Sequence, residues 1–266
     1  MFLPVNVDVP MTRLPIVNWA IIALIACATI VGWNDQGIYD ALAGFDYREM
    51  PGIDIDHLTK EQGNALLQRV VTEGYVSLET HKERVFAPPG WKMPILAITS
   101  VLVHANILHL AGNLAFLWAF GNAINYKFGH LGYLALFLAA AVASGLTFYL
   151  TVPNVPVVGA SGAIMGVVGA FLVFFPRNDV ILAPTALVVL RGWSESIRIS
   201  SWMMILLWIG LDFFHMVRGT QETVAHVSHV AGFAVGFAIA LFLAWRGTFP
   251  PTRYEQTLLQ VFGSSS

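Results

Sequence analysis

The apolar residues of this chain do not alternate with polar ones at the period of a soluble helix or strand. They come in long runs. Crossing a bilayer takes about 20 mostly apolar residues, and six runs approach or exceed that length: 16–33, 95–121, 131–151, 159–176, 200–217 and 224–245. The fourth is the most glycine-rich. Between the first and second lies a different kind of sequence, 34–93, with ten acidic and six basic residues. Within it, Leu66, Leu67, Val70 and Val71 recur at helical spacing, so Thr59–Gly74 is predicted to be a helix in a water-exposed insert. A weaker apolar stretch, Val180 to Leu190, is too short to span, holds Pro184 and is bracketed by Arg177 and Arg191. It reads as an interfacial or re-entrant segment.

Composition agrees with that pattern. Hydrophobic residues make up 56% of the chain, charged residues 11%, and the mean hydropathy is +0.67. A soluble domain is roughly 25% charged; a lipid-facing surface needs no charge. The formal charge of −2 gives no footprint for nucleic acid. One cysteine, Cys27, cannot form an internal disulfide. Leu24-Ile25-Ala26-Cys27 looks like a lipoprotein cleavage box, but the apolar run continues through Trp33 and the leader has one arginine beside Asp8. The first span is therefore expected to stay uncleaved.

Orientation follows the basic residues of the short connections. Arg13, Lys127, Arg177, Arg191, Arg198, Arg246 and Arg253 fall on one side; outside the insert, Arg218 alone falls on the other. Both termini are expected in the cytoplasm and the insert outside. The expected fold is an all-α membrane protein, a bundle of six transmembrane helices. It divides into an N-terminal segment with the first helix (1–33), the extracytoplasmic insert (34–93), a five-helix core (94–246) and a cytoplasmic tail (247–266). The plasma (inner) membrane of a prokaryote is the expected location.

Polar groups inside spans are costly and tend to be functional. Here they are His104, His109 and Asn113 in the second run, Ser161 at the start of the fourth, Asp212 and His215 near the end of the fifth, and His226, Ser228 and His229 at the start of the sixth. With the alternating direction of the spans, all fall in the outer half of the bilayer. A serine at a helix start is ordinarily a cap. Ser161 differs in its setting: Gly159 permits a sharp turn before it, and Gly162, Gly166 and Gly169 clear one face for close approach by another helix. Free N–H groups at that helix start also suit an oxyanion. His229 has Gly232 and Gly236 at i+3 and i+7 on its own face, which fits a base pressed beside a nucleophile. His226 and His229 form an H-x-x-H pair without the glutamate of the zinc-protease pattern and with no third ligand evident, so no metal is expected. His109 and Asn113, at i and i+4, share a face and either donate to an oxyanion or bond neighbouring helices. His104 is given a structural role.

Taken together the segments resemble the rhomboid family. His104-x4-His109-x3-Asn113 matches its H-x4-H-x3-N, Gly159-Ala160-Ser161-Gly162 its G-x-S-G, and His229-Val230-Ala231-Gly232-x3-Gly236 its histidine-glycine motif, over about 95–245. Ser228 stands where alanine is commoner. The resemblance implies a Ser–His dyad without a catalytic acid. Ser161 would be the nucleophile, His229 the general base, and Asn113, His109 and the Ser161 N–H the oxyanion hole, with His104, Gly159, Gly162, Gly232 and Gly236 supporting the site. It implies an intramembrane serine endopeptidase that cleaves transmembrane segments of other proteins in the bilayer, without a cofactor. Two departures stand out. The family's Trp-Arg pair is replaced by Ile95-Leu96, and no acid follows the second span in Phe120-Gly121-Asn122-Ala123-Ile124.

Two other classes remain open on the residues. A non-catalytic rhomboid-like protein that binds membrane clients would be marked by loss of the serine or histidine, and neither is lost. A small transporter working through Asp212 and intramembrane histidines would be favoured by an inverted repeat, and none is found. Substrate identity, oligomeric state and the partner of the insert are not legible in the sequence.

Overall fold

The structure is a computed structural model that describes residues 2–43, 92–151, 157–184, 196–218, 226–251 and 255–263. It is mostly helical. Among the described residues, four helical runs are long and apolar enough to cross a membrane: Ile16–Asn34, Ile107–Thr151, Ser201–Arg218 and His226–Trp245. We label the helices α1 (Ile16–Asn34), α2 (Gln36–Ala43), α3 (Met93–Thr99), α4 (Ile107–Phe116), α5 (Asn122–Thr151), α6 (Ser161–Phe174), α7 (Ser201–Arg218), α8 (His226–Trp245) and α9 (Leu258–Phe262). The predicted helix Thr59–Gly74 lies outside the described residues.

The run from Ile107 to Thr151 is not one rod. At Gly129 the backbone turns to φ 71°, ψ 176°, a left-handed conformation that glycine adopts at little cost. Two apolar segments therefore fold back from Gly129, as the separate runs 95–121 and 131–151 anticipated. A π turn at Leu117–Gly121 precedes α5. Asn18 of α1 donates from Nδ2 to the Leu117 carbonyl and to Asn122 Oδ1, both at 2.8 Å, while Tyr133 donates to Asn18 Oδ1 at 2.6 Å. The distorted turn thus keeps its polar groups satisfied where lipid and packed side chains offer no water.

Two expectations need correction. The run 95–121 was expected to be one span, but it breaks. After α3 and a short 3-10 turn (Ser100–Leu102), Val103 is extended (φ −121°, ψ 147°), and α4 restarts at Ile107. The cause is local: the Asn106 side chain accepts from the His109 N–H at 2.9 Å, an N-cap in the middle of the apolar run. His104 therefore precedes α4 instead of lying on it. The expected all-α fold also carries a small sheet. The start of the segment Val180–Leu190, read in the sequence as interfacial or re-entrant, falls in strand β2 (Asp179–Pro184). It pairs antiparallel with β1 (Phe2–Val7) on one side and β3 (Ile197–Ser200) on the other. Val180 and Leu182 are buried while Ile181 between them is partly exposed, the period-2 pattern of a half-buried strand. The remainder of that segment, 185–190, lies outside the described residues.

The sheet marks one end of the bundle: β1 leads into α1, β2 follows α6 and β3 leads into α7. The C-terminal segment packs at this end as well. The Lys127 ammonium pairs with Glu255 and donates to the Pro250 carbonyl at 3.0 Å, and Arg177 donates to Gln256 at 2.8 Å. Arg13, Lys127, Arg177, Arg198 and Arg246 thus gather at the sheet end, and Arg218 ends α7 at the other.

At the centre stands α6, buried at every position from Gly162 to Phe174. Its 14 residues rise about 21 Å, less than the ~30 Å hydrocarbon core. The helix reaches the sheet end through Phe175 and begins well inside the bundle. By contrast, α1, α7 and α8 turn large apolar side chains outward, among them Leu24, Leu207, Phe213 and Phe242, as lipid-facing helices do.

Candidate active site

The site is built by backbone approach between α6 and α8. A Cβ on Gly232 would overlap the Gly162 carbonyl oxygen, and one on Gly236 would overlap that of Gly166. A Cβ on Gly162 would lie 2.7 Å from Ser228 Oγ. The two helices therefore touch along their glycines, as the stripes predicted. The residues next to Ser161 and His229, namely Gly162 and Ser228, are in contact.

Ser161 is the first residue of α6, and its side chain is not the cap. The N-cap is Ala160, and no side chain caps the helix. Ile164 is the first residue whose N–H reaches an intrahelical carbonyl, that of Ala160 at 2.9 Å. The N–H groups of Ser161, Gly162 and Ala163 have no acceptor inside the helix. Chain direction into the helix is set by Gly159, whose φ of +111° suits glycine alone. Its missing side chain also admits the His109 ring: a Cβ there would sit 2.7 Å from His109 Cε1.

His104 fixes this turn from behind. Its Nε2 accepts from the Ala160 N–H at 3.3 Å, and its Nδ1 lies 3.1 Å from Thr29 Oγ1. Thr29 donates onward to the Leu102 carbonyl at 2.9 Å, and Trp33 donates to the His104 carbonyl at 2.7 Å. Both ring nitrogens of His104 are engaged, and the residue has no exposed surface. Neither Thr29 nor Trp33 was singled out in the sequence.

Asn113 is buried on α4, one turn past His109, and donates from Nδ2 to the His109 carbonyl at 2.9 Å. An amide has two N–H groups, so one remains for a ligand.

His229 lies on the first turns of α8, 13% exposed. Its Nδ1 is 2.9 Å from Asp212 Oδ2, and His226 Nδ1 is 2.8 Å from Asp212 Oδ1. His229 Nε2 is buried and, among the described residues, has no hydrogen-bond partner, so it does not bond Ser161 Oγ in this structure. Catalytic hydrogen bonds are often long before substrate binds. Asp212 changes two expectations. The resemblance implied a base without an acid, and a carboxylate stands on His229. The H-x-x-H pair was read as lacking a third metal ligand, and Asp212 offers one, its donor atoms and those of His226 and His229 lying within 4.8 Å of one another. The signal was present in the sequence: an intramembrane acid must find donors, and two histidines shared its depth.

Residues 92–246 match the family model described as Rhomboid domain. That is more than half of the chain, and the chain belongs to the rhomboid family. Among its relatives, Rhomboid protease GluP of Bacillus subtilis (strain 168) is 28% identical over 190 residues, 71% of this chain and 33% of the relative. Rhomboid-like protein 11, chloroplastic, of Arabidopsis thaliana is 27% identical over 63% of this chain and 57% of its own. Rhomboid protease AarA of Providencia stuartii is 25% identical over 57% of this chain and 55% of its own. The chain thus spans a third to somewhat over half the length of these relatives.

Proposed function

We propose that the protein is an intramembrane serine endopeptidase that cleaves transmembrane segments of membrane proteins. The observation that carries this reading is the glycine-mediated contact of α6 and α8, which sets Gly162 against Ser228, one residue along the chain from Ser161 and His229 respectively. His229 Nε2, buried and unpartnered, is the lone pair such a base needs.

In this reading Ser161 Oγ attacks the scissile carbonyl carbon as its proton passes to His229 Nε2. The oxyanion accepts from the Ser161 N–H, the second Asn113 N–H and the His109 ring. His229 returns the proton to the leaving amine, the C–N bond breaks, and an acyl-enzyme remains on Ser161. Water then attacks the ester carbonyl as its proton passes to His229; the C–Oγ bond breaks, His229 returns the proton to Ser161 Oγ, and the new carboxyl terminus leaves. Ser161 is partly exposed, and a helix start inside the bundle is consistent with chemistry at the depth of a bound helix.

We further propose six membrane crossings: α1, the two segments joined at Gly129, α6, α7 and α8. The termini and the sheet face the cytoplasm, the insert 34–93 faces outward, and the membrane is the inner membrane of a prokaryote. The grouping of basic residues at the sheet end supports that orientation.

Cleavage of a single-span substrate in proteoliposomes tests the activity. Ser161→Ala and His229→Ala should each abolish cleavage with the protein still folded, and the double variant should be little worse than either, because the pair acts as a unit. Near-normal cleavage by either single variant removes the dyad. For orientation, Asn64→Cys in a Cys27→Ala background should react with an impermeant thiol reagent in intact cells. Protection there, with reactivity of Gln260→Cys, inverts the topology.

A further inference from the structure

We propose that Asp212 is a positioning residue of this site: its carboxylate accepts the Nδ1–H of His229 and so holds the base in the tautomer whose Nε2 is free for Ser161. The inference rests on the protease reading above. It adds a third member to the pair and assigns the acid to α7, a helix that carries neither dyad residue.

Asp212 has one carboxylate and two imidazoles against it, with His226 Nδ1 on Oδ1 at 2.8 Å and His229 Nδ1 on Oδ2 at 2.9 Å. A protonated acid donates to only one of them. An ionised carboxylate accepts from both at once, which fixes the proton on Nδ1 of each ring. The side chains of Asp212, His226 and His229 are 16%, 10% and 13% exposed. A carboxylate this far from water keeps its charge through such bonds. With Nδ1–H donated, the neutral His229 ring carries its lone pair on Nε2, and among the described residues that atom is buried without a partner. A neutral ring left to itself distributes its proton between two nitrogens, and a base with the proton on Nε2 cannot accept from serine. In soluble Ser-His-Asp enzymes the acid does this work, and its amide replacement costs about 10⁴ in turnover by trapping the wrong tautomer.

The same carboxylate anchors α7. That helix is the least buried of the four long runs, with Leu206, Leu207, Phe213 and Phe214 exposed, and Asp212 ties its far end to α8 through two hydrogen bonds. His226 shares the carboxylate, orients it, and is itself stacked on His215 of α7 at 4.9 Å between ring centroids.

The test is Asp212→Asn in the full-length protein, reconstituted with a cleavable single-span substrate. Asparagine keeps the size of the side chain and still bonds His229, but its NH₂ donates to Nδ1 and drives the proton to Nε2. Turnover is expected to fall by about 100-fold or more, with KM within about threefold and the melting temperature little changed. Asp212→Glu, which keeps the acceptor, should recover much of the loss. Turnover near wild type in Asp212→Asn overturns the proposal, as does a loss that follows the fall in melting temperature and is not recovered by glutamate. If Asp212→Asn does not fold, ¹⁵N-histidine NMR of Ser161→Ala in micelles decides: His229 should carry its proton on Nδ1, and a proton on Nε2 refutes the inference. A chelator that abolishes wild-type cleavage, with Zn²⁺ restoring it, would replace positioning with a metal at Asp212, His226 and His229. Wild-type protein that cleaves nothing and takes no fluorophosphonate on Ser161 fails the protease reading itself, a result separable from all of these.

Discussion

His104 is fully buried and His229 partly so; both lie at the end of the bundle away from the sheet, and both are bonded through Nδ1. They differ at the other nitrogen. His104 Nε2 takes the Ala160 N–H at 3.3 Å and has spent its bonding capacity on holding a turn. His229 Nε2 has no partner, although the ring is held just as firmly by Asp212. A histidine with both nitrogens committed is a strut; one held by Nδ1 alone keeps a base in reserve. The same contrast runs through the helices around them. α6 is buried along its length and packed on α8 through glycine, whereas α7 is largely exposed and meets α8 through a polar clamp. Rigidity lies under Ser161, and Asp212 sits on the less enclosed helix.

The comparison breaks most sharply if the two histidines are exchanged in effect. His229→Ala should remove turnover with little loss of stability. His104→Ala should lower stability by about 1–3 kcal/mol, the cost of leaving a buried partner such as the Ala160 N–H unsatisfied, with cleavage reduced but measurable in the fraction that remains folded. Thermal unfolding in detergent beside a cleavage assay separates them. A stable, inactive His104→Ala protein would move His104 from strut to chemistry.

Asn113 stands between these cases, with one N–H bonded to its own helix and one to spare. Asn113→Ala is expected to lower turnover at least about tenfold, roughly 1.4 kcal/mol of transition-state stabilisation, and to change KM little, since an oxyanion donor acts on charge that appears only in the transition state. Normal turnover with a lowered melting point would make Asn113 helix glue.

The smallest effect belongs to His226. It bonds the oxygen of Asp212 that His229 does not use, so His226→Ala should keep cleavage within about tenfold of wild type, a modest loss beside that expected of a misplaced base. An inactive His226→Ala paired with an active His229→Ala would shift the base by one helical turn.

Much of this was legible in the chain because membrane sequences are sparing with polar groups. Run lengths and direction put Ser161, His229, His109 and Asn113 toward one end of their segments, and the glycines at 162, 166, 232 and 236 announced the α6–α8 contact. What escaped notice was set by single side chains that override an apolar run. Asn106 caps a helix inside a continuous hydrophobic stretch, and hydropathy averaging passes over it. β1 and β2 are separated by most of the chain, so their pairing leaves no local pattern beyond the alternation at Val180 and Leu182. Asp212 was noticed as an intramembrane acid, yet its partners sit across a helix–helix contact that spacing on one helix does not reveal.

The most direct test of the central claim is covalent. A fluorophosphonate probe added to the detergent-solubilised protein should label Ser161 and no other serine, located by peptide mass. Labelling should vanish in Ser161→Ala and fall to near background in His229→Ala. Label that persists in Ser161→Ala, or a folded wild-type protein that takes none, would contradict the assignment of Ser161 as an activated nucleophile.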